Sequence, residues 1–177
     1  MSELLVYKYN TKERASEVLG EVLALKQEHV QKPLINLEDA AAIRKKNNGK
    51  LKIIQTMESA VKGGQVASGG FWGILIGFLF GGPLLGALLG VGISALLGRK
   101  TDLGIDNAFI KEIGEALDSE KSALFMLVDG TPIGTVENAM KKYGGVLYHT
   151  SLSKEAKHAL SEMSKDETIS EALMQEE

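Results

Sequence analysis

The chain of 177 residues has room for one compact domain with an insertion rather than two full domains, and 44% of its residues are apolar. It has no cysteine, which excludes disulfides, thiolate nucleophiles and cysteine-held zinc or iron–sulfur clusters, and fits a reducing, cytosol-facing location. The net charge of -3 is sorted: residues 1–62 carry 11 basic and 8 acidic side chains, residues 99–152 carry 6 and 8, and residues 153–177 carry 3 and 7, so no region is basic enough for a nucleic-acid footprint.

The opening MSELLVYKYN lacks the basic region and long apolar core of a secretory signal and reads as mature protein. Within it ELLVYKY is rich in strand formers, and Asn10 is a candidate N-cap for a helix, its side chain reaching the backbone of Glu13. Ala15, Val18, Leu19, Val22 and Leu25 share one face of that helix, which ends before Pro33. In DAAAIRKKNNGKLKIIQT, residues 39–56, two strand-like segments flank Asn48 and Gly49, a pair that accepts the positive backbone angles of a tight hairpin.

An uncharged block of 36 residues follows, 63–98. Gly69, Gly73, Gly77 and Gly81 recur every four residues, as do Gly82, Gly86, Gly90, Ser94 and Gly98, and Pro83 after the glycine pair marks a turn. The pattern predicts a helical hairpin with a stripe of small residues on each arm, a packing favoured in lipid. Phe71, Trp72, Phe78, Leu79, Leu85 and Leu88 then face lipid or another subunit. Arms at 63–80 and 83–98 would reach roughly 27 and 24 Å against a hydrocarbon core of roughly 30 Å. Lys62 before the block and Arg99 with Lys100 after it put both flanks in the cytosol. The glycines do not form a phosphate loop, because no GK[ST] follows them.

Past the block, Phe109, Ile110, Ile113, Ala116 and Leu117 predict a second helix and SALFMLVD, Ser122 to Asp129, a strand. Thr131 and Pro132 are placed as N-cap and first residue of a third helix whose buried face is Ile133, Val136, Met140 and Tyr143. Gly144 and Gly145 close it, GVLYHTSL reads as the last strand, and Ala156, Ala159, Leu160 and Met163 predict a helix before an acidic end. This order predicts an α+β fold, a ferredoxin-like sandwich with helices on one face of a mostly antiparallel sheet. The split domain covers residues 1–56 and 101–152, with the hairpin inserted at 57–100 and an acidic tail at 153–177.

Catalytic candidates are sparse. His29, His149 and His158 fall in three different elements without metal-ligand spacing, and Asp129 with Gly130 reads as a turn. Glu38 and Asp39 are adjacent, and neighbours on a regular strand face opposite ways, so they make no ready carboxylate pair. Lys45 and Lys46 belong to a solvated hairpin tip or touch anionic headgroups. No cofactor, metal or small-molecule substrate is indicated.

The succession DAAAIRKKNNGKLKIIQT, a Gly-rich hairpin ending in GRKTDLGID, FIKEIGEAL and SALFMLVD resembles a bacterial family of unknown function labelled predicted membrane proteins. The resemblance implies a ferredoxin-like cytosolic domain interrupted by a glycine-zipper hairpin, and brings no catalytic residues. The expectation is a non-enzymatic homo-oligomer at the bacterial cytoplasmic membrane with a structural or stress-related role. The alternative is a soluble homo-oligomeric scaffold or shell enclosing the hairpins, with lipid or an apolar cargo.

Overall fold

A computed structural model describes residues 2–28, 31–64, 70–80 and 104–165. In chain order it forms β1 (Ser2–Tyr9), α1 (Arg14–Glu28), β2 (Leu37–Lys45), β3 (Leu51–Thr56), α2 (Met57–Lys62), α3 (Phe71–Phe80) and α4 (Asn107–Ala116). Then come β4 (Ser122–Asp129), α5 (Ile133–Met140), a 3-10 turn (Lys141–Tyr143), β5 (Val146–Leu152) and α6 (Lys154–Ser164). The strands make one five-stranded antiparallel sheet in the order β3-β2-β4-β1-β5, which establishes the α+β class.

The central strand explains the layering. SALFMLVD on β4 is buried at every position except its last, and a strand buried on both faces needs apolar cover on both. Leu5, Tyr7, Leu124 and Met126 pack under α1 and α5 on one side. Leu4, Val6, Phe125 and Leu127 pack under α3, α4 and α6 on the other. The expectation of helices on one face is therefore corrected: the unbroken apolar runs of β1 and β4 call for two helical layers.

Helix α1 starts at Arg14, later than Asn10 suggested, because its cap is supplied from far along the chain. The buried Ser122 hydroxyl accepts from the Ala15 N–H at 3.0 Å and donates to the Thr11 carbonyl at 2.6 Å. At the hairpin tip only Gly49 takes a positive φ (83°). Its N–H donates to the Lys46 carbonyl, and Asn48 accepts from the Lys50 N–H, so Asn48 shapes the turn through its side chain. Thr131 does not cap α5; its hydroxyl accepts from the Asn36 N–H at 2.9 Å and ties the end of β4 to the start of β2. Ser153, by contrast, caps α6 by accepting from the Ala156 N–H.

Among the described residues, the arm predicted from residue 63 is helical only from Phe71. Thr56 and Ser59 form a capping box that starts α2 directly after β3, and Gly63 and Gly64, at φ 70° and 115°, end it. The next described helix, α3, has 10 residues. Among the described residues, no helix is long and apolar enough to cross a membrane.

Candidate functional site

Helix α3 is the described part of the Gly-rich block. Its sequence FWGILIGFLF is apolar all round, which leaves open what surrounds it. Trp72, Ile74, Leu75, Ile76 and Leu79 are all buried in the core between the sheet, α4 and α6. The Trp72 ring meets Phe71 and Phe125 edge-on, at 5.4 and 6.3 Å between centroids. Trp72 and Leu79, expected to face lipid or a neighbouring subunit, thus face the chain's own sheet, whose second apolar surface takes them up. Phe71 is half-buried against the same core.

Of the small residues expected to pack helices, Gly73 and Gly77 are half-buried on α3. Gly69, Gly81, Gly82, Gly86, Gly90, Ser94 and Gly98 lie outside the described residues, as do Leu85, Leu88, Arg99, Lys100 and the side chain of Phe78. So do the turn at Pro83, His29 and the tail from residue 166. Lys62, expected to flank a membrane, pairs on the surface of α2 with Glu58 at 3.0 Å, both side chains about three-quarters exposed.

At the start of α3 the structure brings together residues that the sequence kept apart. The register of β2 on β4 slips between Leu37 and Asp39, a β-bulge at Glu38. Leu37 and Ala40 consequently both face the α1 side, and Glu38 and Asp39 both line an open notch of about 220 Å³ with Phe71, Leu127, Lys157 and Ser161. Opposite orientation of neighbours holds for a regular strand; the extra residue of the bulge cancels it. The register against β4 decides this, and residues 37–39 carry no local signal for it.

Within the notch, Lys157 on α6 donates to both Glu38 carboxylate oxygens, at 2.8 and 3.0 Å, and to the Ser2 hydroxyl at 3.1 Å. Ser2 in turn donates to Glu38 at 2.8 Å, so Glu38 and Lys157 clasp α6 to the end of the sheet where β1 and β2 begin. Asp39 has no cation in hydrogen-bond contact among the described residues. One of its oxygens accepts from the Ala40 N–H at 2.8 Å. Burial pushes its carboxyl above the ordinary value, opposed by the Ala40 N–H and the Trp72 indole. The indole nitrogen is close enough to influence Asp39 yet makes no hydrogen bond of good geometry.

This arrangement can hold a structural ion pair and accept a proton at Asp39. Neither the notch nor the apolar crevice of about 50 Å³ between α1 and α5 reaches the roughly 300–1,000 Å³ of small-molecule sites. Among the described residues, no group of three or more His, Asp or Glu side chains converges as a metal site. His149 and His158 are exposed on β5 and α6. Asp129 donates its N–H to Asn36, and Gly130 takes φ 62°, which is turn geometry. Lys45 is turned from solvent: its ammonium donates to the carbonyls of Gly114 and Leu117 and caps the end of α4.

Fold and site together define an α+β protein with a two-sided sheet, a structural ion-pair notch and a Gly-rich apolar segment that runs on from a core helix. The chain belongs to the family described as a protein of unknown function (DUF1269), whose model matches residues 66–165, more than half of the chain. That match takes in α3 through α6, and leaves β1, α1, β2, β3 and α2 outside. Neither a curated protein nor a solved structure gives a match.

Proposed function

We propose that the protein is a non-enzymatic, membrane-associated homo-oligomer with a structural or stress-related role, its α+β domain on the cytosolic side of a bacterial cytoplasmic membrane. The anchor is the part of the Gly-rich block beyond α3, rather than a two-span hairpin that includes it. The observation that carries this reading is the seat of α3. With α1 and α5 on one face of the sheet and α3, α4 and α6 on the other, the uncharged residues 83–98 have no sheet face left among the described residues to bury against. On this reading they meet lipid or other copies. Sixteen residues in helical form reach roughly 24 Å, short of a roughly 30 Å hydrocarbon core, which favours a re-entrant segment packed through its small residues.

Within the domain we read β1, α1, β2, β4, α5 and β5 as a ferredoxin-like unit, since its strands run β5-β1-β4-β2 with α1 and α5 on one face. The chain between β2 and β4 is then an insertion whose helices α3 and α4 cover the other face. Gly73 and Gly77, half-buried on α3, give a glycine-zipper partner a place of close approach. The second reading, a soluble shell enclosing the apolar segments, is favoured by the burial of Trp72, Leu75 and Leu79 within the domain.

Membrane fractionation separates the two. On the first reading the full chain floats with vesicles, stays with the pellet through a carbonate wash and is released by detergent. Recovery as a monodisperse particle in detergent-free buffer would replace it with the second.

A further inference from the structure

The two edges of the sheet are protected very differently. On the β3 edge, Lys50 and Lys52 flank and interrupt a strand of 6 residues, and the pairing of β3 with β2 slips between Ala42 and Ile43. Lysines and bulges are the devices by which edges resist pairing with another chain. The β5 edge has neither. VLYHTSL contains no charged residue and no proline, and pairs with β1 in unbroken register from Ser2↔Leu152 to Lys8↔Val146. Its outer side is paired with no described strand, and Val146 is 48% exposed there.

We propose that β5 pairs with β5 of a second copy, antiparallel about a two-fold axis at His149, joining two five-stranded sheets into one continuous sheet. The occupant follows from the strand itself. Only antiparallel pairing makes a strand edge complementary to its own copy under a two-fold axis, and β5 has 7 residues with His149 at the centre. Centring the axis there uses the whole strand and sets Leu147 against Ser151 of the second copy and Tyr148 against Thr150, while the Leu152 side chain stays in its own core. An aromatic meets a β-branched residue, and no Lys, Arg, Asp or Glu side chain lies in the pairing. A charged foreign strand finds no complementary charge on this edge. The contact uses β5 alone and stands whether or not the Gly-rich segment meets lipid.

Cysteine placement tests the register, because the natural chain has no cysteine. In full-length protein, His149→Cys puts two thiols directly opposite one another, with Cα atoms about 4.5–5.5 Å apart, within disulfide reach. Ser151→Cys alone sets its two thiols four residues apart along the paired strands, about 13 Å, beyond that reach. Mild oxidation is expected to convert His149→Cys to a covalent dimer at least about tenfold faster than Ser151→Cys. The double variant Leu147→Cys/Ser151→Cys should again form the dimer rapidly. A dimer cross-linked equally at 149 and 151 would indicate random collision and overturn the register. A His149→Cys chain that stays monomeric on denaturing gels, while larger assemblies persist in native buffer, would overturn the edge contact and leave assembly to the Gly-rich segment.

Discussion

One buried and one half-buried polar group, Ser122 and Asp39, act at residue scale in ways their local sequence does not announce. Ser122 is wholly buried, and its hydroxyl satisfies the first turn of α1 by bonding Ala15 and Thr11. Ser122→Ala leaves the Ala15 N–H without its partner, and urea denaturation should show a loss of about 1–3 kcal/mol. A change within about 0.5 kcal/mol would assign the capping role elsewhere. Asp39 is the opposite case, a carboxylate the fold disfavours. Burial holds its pKa above the ordinary 3.8, although the Ala40 N–H and Trp72 pull it down. The folded chain therefore binds this proton more tightly than the unfolded chain does. The contribution is favourable at low pH and is lost as pH rises from 3.8 through the raised value. Asp39→Asn keeps an acceptor for the Ala40 N–H and removes the charge. It is expected to flatten the fall of stability as pH rises above 3.8 and to raise the neutral-pH melting temperature. A parallel, unshifted profile would mean that Asp39 is solvated.

The element scale is where the sequence is most and least legible. Strands β1, β4 and β5 are readable from their β-branched and aromatic runs, the β2–β3 hairpin from Asn48 and Gly49, and α6 from Ala156, Ala159, Leu160 and Met163, all four buried. Three features were hidden because they depend on distant partners: the bulge at Glu38 on the register with β4, the α1 cap on Ser122, and the two-sided burial on where α3 docks. Helix α3 is the sharpest case. A helix apolar on every side suits lipid and a protein core equally, since both are apolar solvents, and FWGILIGFLF contains nothing that distinguishes them. Its seat makes a direct prediction. Leu75 is fully buried beneath the sheet, so Leu75→Ala should lower the stability of the α+β domain by about 2–5 kcal/mol in a denaturant titration followed by circular dichroism. If α3 were a detached membrane arm, the same substitution would leave the domain's midpoint unchanged and alter only association.

For the whole molecule, the proposed function divides the uncharged block between two tasks. Its first part completes the domain, because the sheet's second face needs α3 beside α4 and α6. Its remainder, residues 83–98, repeats the same small-residue spacing after that face has been filled. Replacing 83–98 with a Gly/Ser linker of equal length separates the tasks. A flexible linker of sixteen residues has an r.m.s. span of about 20–24 Å and adds little strain to the connection between α3 and α4. The expected product keeps the circular dichroism spectrum and thermal midpoint of the parent, no longer floats with vesicles, and falls in mass to the assembly held by β5 pairing alone. Loss of the cooperative transition would mean that 83–98 belongs to the domain core, and that the block is a single structural insertion with no surface task of its own.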